Sequence, residues 1–113
     1  MSTNLLIGCP SHRGWLHHIC ARSLLASAEH LRAQGVRVGL EIAIGSLTHV
    51  ARNRLGALAL AGDWSHLLFI DDDQGWAEDV PSRLLAWNED VIVPCVPSRH
   101  SESFAVAKPR AVP

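Results

Sequence analysis

The chain has 113 residues, 48% of them hydrophobic and 19% charged, enough for one domain with a buried core and too apolar for a disordered or collagen-like chain. Ten Lys and Arg against eleven Asp and Glu leave a net charge of -1, so the electrostatic drive for binding nucleic acid or an anionic membrane is missing. No apolar run approaches the roughly 20 residues of a membrane span, no secretory signal pattern opens the chain, and three cysteines without a CxxC pair predict a reducing, cytoplasmic setting.

In chain order, residues 5–9 (Leu-Leu-Ile-Gly-Cys), closed by Pro10, read as a buried strand. Residues 15–34 turn helical, with Leu16, Ile19, Cys20, Leu24, Ala28 and Leu31 on one stripe and Gly35 at the C-terminal end. Residues 36–44 are rich in β-branched side chains and predict a second strand, broken by Gly45-Ser46, with Ser46 as the N-cap of the next helix. That helix, residues 47–61, places Leu47, Val50, Ala51, Leu55, Leu58 and Ala59 at helical spacing and ends at Gly62. Residues 67–70 predict a third strand, residues 80–87 a short helix capped by Asp79 with Pro81 in its first turn, and residues 90–96 a fourth strand. Residues 97–113 read as loop or tail.

Alternating strands and helices predict an α/β fold with a mostly parallel sheet covered on both faces, a three-layer α/β/α arrangement. Ligands of such sheets sit at the carboxyl ends of the strands, which draws attention to Pro10-Ser11, Gly45-Ser46, Asp71-Asp72-Asp73 and Pro97-Ser98.

The aspartate run is the most informative feature. Along an extended backbone Asp71 and Asp73 share one side and Asp72 faces away. Two neighbouring carboxylates repel unless a cation neutralises them, and Mg²⁺ or Mn²⁺ suits a hard oxygen site that adds water and substrate phosphates. A solvated acidic turn is the competing reading; the position at the carboxyl end of a buried strand favours the metal.

Ala51-Arg52-Asn53-Arg54-Leu55 followed by Leu68-Phe69-Ile70-Asp71-Asp72-Asp73 resembles the donor-binding half of a GT-A-fold glycosyltransferase of the family-2 kind, in which an ARN helix precedes a strand ending in DxD. Glu78-Asp79-Val80, Val91-Ile92-Val93 and the opening Ile7-Gly8-Cys9-Pro10-Ser11 are similar to further family segments, so the likeness spans residues 5–99. The resemblance implies an incomplete Rossmann-like fold, with residues 1–99 as a nucleotide-sugar-binding domain and 100–113 as tail. It implies a metal-dependent transfer from a nucleotide-diphosphate sugar, a UDP-sugar first. Asp73 would hold the metal with Asp71, which also reaches the ribose or sugar. Arg52 would lie by the base or phosphate, and Pro10 and Ser11 would border the base. The catalytic base remains unknown. The chain departs from the family at Ile44-Gly45-Ser46, where relatives carry an acidic residue, and only forty residues follow Asp73. Two alternatives stay open: a non-catalytic nucleotide-sugar-binding or interaction domain, including a homo-oligomer or complementing chain, and an acid-cluster phosphohydrolase.

Other features read more plainly. Arg52 and Arg54 also fit a solvated helix face. The seven histidines include no i, i+4 pair of the HExxH kind, and Cys9 and Cys20 fit core positions. Trp76, three residues beyond Asp73, either packs against the sheet or stacks on a sugar or base. GxSxG, P-loop and GxGxxG motifs are absent from the sequence.

Overall fold

The first strand owes its uninterrupted apolar run to burial on both faces. A computed structural model describes residues 3–92 of the chain. In it β1 (Asn4–Ser11) runs between β2 (Arg37–Ile44) and β3 (His66–Phe69), both parallel to it, in the order β2-β1-β3. As the central strand, β1 keeps Leu5, Leu6, Ile7 and Cys9 at no more than 2% exposure. The outer strands mix exposed and partly buried residues, with Ala43 of β2 buried. Three helices accompany the sheet: α1 (His18–Ala33), α2 (Thr48–Ala61) and α3 (Val80–Ala86).

The two faces of β1 have different neighbours. At Gly8 a Cβ atom would lie 3.2 Å from Leu55 Cδ1 of α2 and 3.3 Å from Leu67 Cδ1 of β3. Only a hydrogen at this position lets α2 approach so closely. Alternation along the strand turns the next residue, Cys9, to the other face, where Cys20 of α1 is near enough to act on it electrostatically. Helix α2 touches all three strands, and Leu55 and Ala51 form a buried cluster with Ala43 of β2.

Several boundaries differ from the sequence reading, each for a local reason. Helix α1 begins at His18 rather than at 15, because His17 is extended and caps the helix: its Nδ1 accepts the Ile19 N–H at 3.2 Å. Its C-terminal end is as read, with Gly35 at φ +83 after the Gln34 cap. The buried stripe of α1 is Cys20, Ser23, Leu24, Ser27 and Leu31; Ile19 is 46% exposed. Ser46 is not the cap of α2. Leu47 holds that position without a side-chain bond, since Ser46 lies one residue too early. Of the α2 stripe only Ala51 and Leu55 are buried, while Leu47, Val50 and Leu58 stay exposed; two core positions suffice where Gly8 lets the helix settle close to the sheet.

Pro81 stands in the first turn of α3 as the sequence suggests. Asp79, just ahead of it, accepts the Arg83 N–H and the Ser82 hydroxyl, both at 2.9 Å, through its main-chain carbonyl. The chain divides into two compact units, the first ending at Arg83 and the second starting at Leu84. A fourth strand over residues 90–96 is not found where it can be followed: residues 90–92 are not strand. Asp90, which opens this stretch, and Glu89 before it are exposed and poor strand formers. Residues 93–96 and the tail at 97–113 lie outside the described residues. Among the described residues no helix is long and apolar enough to cross a membrane.

Candidate functional site

The order β2-β1-β3 has its topological switch between β1 and β3, because the chain leaves β1 toward β2 and then returns to its other side. Crevices beyond the carboxyl ends of strands open at such points. Here the switch joins Ser11, the last residue of β1, to the aspartates that follow β3.

Strand β3 ends at Phe69, and Asp72 and Asp73 already lie in a turn. The extended alternation expected for the three aspartates therefore stops before it reaches them. Ile70, 8% exposed, still donates its N–H to Gly8 O at 3.0 Å, the last link to β1. Beyond it the carboxylates part ways. Asp71 is exposed, whereas Asp72 and Asp73 are half-buried, and Asp73 Oδ1 is shut off from solvent.

Asp72 is held from two directions. The Ser11 hydroxyl donates to its Oδ2 at 2.8 Å, and its main-chain carbonyl accepts the His17 N–H at 2.8 Å. Ser11 itself is only 2% exposed. Its Oγ also accepts the Gly14 N–H at 3.0 Å and lies 3.1 Å from Trp15 O, so one hydroxyl closes the loop after β1 and ties it to the aspartate turn.

The rest of the turn hangs on α1. The Cys20 thiol donates to Asp71 O at 3.5 Å. The Trp76 N–H donates to Ser23 Oγ at 3.0 Å, and its indole N–H donates to Ser27 Oγ at 2.7 Å. Trp76 thus anchors the loop with its main-chain and indole N–H groups and is half-buried. Burial, with the charges of Asp71 and Asp72 nearby, keeps both thiols protonated: Cys9, which also feels Cys20, is pushed up to about 12, and Cys20 is raised in the same direction.

Arg52 approaches from α2, on the opposite face of the sheet. It is exposed, and its guanidinium lies 5.8 Å from the Phe69 ring centroid, two residues before Asp71. Pro10 is half-buried opposite Ala43 of β2. Ser11 and the aspartate turn therefore meet at the β1–β3 end of the sheet, while Trp76 lies along α1 on Ser23 and Ser27. Arg52 borders that end from the α2 side and Pro10 from the strand itself.

Sequence reasoning missed the clamps. The sequence reading gives Asp72 no role and leaves Ser23 and Ser27 out of the helical stripe. Their signal is spacing: Cys20, Ser23, Leu24, Ser27 and Leu31 recur at three and four residues, the repeat of one helix face. Among the described residues no group of three or more His, Cys, Asp and Glu side chains is placed to hold a metal ion. Comparison with protein families, with curated proteins and with solved structures finds no match, so the chemistry of this site rests on its own residues.

Proposed function

We propose that this chain carries the nucleotide-diphosphate-sugar-binding part of a three-layer GT-A-type fold and serves glycosyl transfer from such a donor. The observation that supports it is the Ser11–Asp72 bond at the β1–β3 switch point. It draws an acidic turn to the carboxyl end of a parallel sheet, where α/β proteins bind nucleotides. In this reading Asp71, exposed on the turn, meets the ribose or sugar, Arg52 the phosphate or base, and Pro10 and Ser11 border the base.

Asp71 is exposed and Asp73 half-buried with Oδ1 shut off from solvent, so in this reading a Mn²⁺ or Mg²⁺ ion would have to draw the two carboxylates together. Two carboxylates two residues apart are no closed protein cage, but they suit an ion whose other ligands are phosphate oxygens and water. Asp73 would hold it with Asp71. When bound, it would offset the charge that develops on the departing nucleoside diphosphate. Trp76 keeps the turn in place through Ser23 and Ser27.

Calorimetric titration of the chain with UDP, with and without Mn²⁺, tests this reading. Metal-dependent binding that is lost in Asp73→Ala is expected. Absence of UDP binding, or binding unchanged in that variant, refutes it.

A further inference from the structure

Strand β2 is an edge of the sheet among the described residues, and its outer side is self-complementary. In a strand, the N–H and C=O of one residue point to the same side and successive residues alternate. Arg37 donates to Thr3 O at 3.2 Å and Gly45 to Ser11 O at 3.0 Å, so the odd-numbered residues of β2 bond to β1. Val38, Leu40 and Ile42 therefore direct their main-chain groups outward. An open edge with exposed apolar side chains is a template for pairing, and Leu40 and Ile44 are 44% and 59% exposed.

We propose that a second copy of this chain pairs antiparallel with the β2 edge, about a two-fold axis at Gly39. In that register Val38 and Leu40 of the two copies exchange main-chain hydrogen bonds. Arg37 of each copy faces Glu41 of the other as a non-hydrogen-bonded pair, the kind with the closer side chains. Centring the axis at residue 40 leaves both charges without a partner, and centring it at 41 sets Glu41 against Glu41. Only the Gly39 register opposes unlike charges twice.

The local structure favours the same register. Arg37 and Glu41 are exposed and lie on one face of β2. The Arg37 guanidinium sits 4.7 Å from the Trp64 ring centroid, a cation–π contact that holds it on that face. Trp64 also covers Gly39 so closely that a Cβ there would overlap the ring, so the side chain that each copy brings to the axis on this face is its Trp64 indole.

Light scattering on the full chain over a concentration series tests the proposal. A concentration-dependent dimer is expected, weakened about tenfold or more in Glu41→Arg, which replaces two attractive cross-strand pairs by repulsive ones. The double variant Arg37→Glu/Glu41→Arg is expected to recover most of the loss. Leu40→Pro removes an outward donor without touching the β1 ladder, and is expected to abolish the dimer with the circular dichroism unchanged. A chain monomeric at every concentration, a dimer indifferent to Glu41→Arg, or a swap that restores nothing overturns the proposal.

Discussion

Removing one oxygen at Ser11 should cost more stability than removing a charge at Asp71. The Ser11 hydroxyl donates to Asp72 Oδ2 at 2.8 Å and accepts the Gly14 N–H at 3.0 Å, at a side chain only 2% exposed. A hydrogen bond to a charged group contributes about 1.5–3 kcal/mol, and leaving a buried partner unmatched costs about 1–3 kcal/mol. Asp72 and Gly14 are half-buried, so water recovers part of both losses, and Ser11→Ala is expected to destabilise by about 2–3 kcal/mol. With a urea slope of about 1–3 kcal/mol/M, the midpoint should fall by on the order of 1–2 M. Asp72→Asn keeps the shape but replaces a charged acceptor by a neutral one, a loss of about 1 kcal/mol. The double variant should lose less than the sum, because the two residues share one bond. Asp71→Asn, on an exposed side chain, should stay within about 0.5 kcal/mol of the parent. The reasoning fails if Ser11→Ala also stays within that range, or if the Ser11 and Asp72 losses add without coupling.

Two other outcomes follow from burial. Leu55 is fully buried against the glycine surface of β1, and Leu55→Ala should destabilise by about 2–5 kcal/mol, read from the same urea curves. Cys9 and Cys20 should resist a thiol reagent in the native chain and react once urea unfolds it. Because both thiols are raised from 9.0 in the fold, the unfolded chain loses those protons first. Stability should therefore decline as pH rises from about 9 toward 12; a Cys9→Ala/Cys20→Ala variant that declines equally would refute the assignment.

The alternation of elements was legible because each has a physical signature that survives without neighbours. Val36 to Ile44 carries β-branched residues, Gly35 marks the end of α1 at φ +83, and Gly62 the end of α2. The ends set by partners were not legible. His17 is kept out of α1 by a bond to Asp72 O, 55 residues away in the chain, and no local pattern encodes that. The aspartate run was visible as a site candidate, yet its internal geometry was not. Extended alternation assumes that the strand continues, and β3 stops at Phe69. Ser23 and Ser27 look like surface residues because hydroxyls are mostly exposed; a tryptophan 49 residues from Ser27 makes them core.

A four-residue strand cannot by itself fix the direction of three carboxylates. Beyond Ile70 the turn has no ladder bond to β1, so each successive residue depends on a contact from elsewhere. Helix α1 supplies most of them: Cys20 at Asp71 O, and Ser23 and Ser27 at Trp76, with the adjoining His17 N–H at Asp72 O. Ser11 adds a side-chain bond from β1. These contacts are spread over nearly three turns of the helix, so a rigid shift of α1 carries the whole turn, while loss of a single clamp frees only one end of it. Helix α2, by contrast, packs on the sheet through Leu55 and Ala51 and borders the site with Arg52, whose guanidinium lies 5.8 Å from the Phe69 ring centroid. The aspartate turn is thus held by α1, while Arg52 borders it from α2. A ligand bridging Asp71 and Arg52 would couple the two helices across the end of β3.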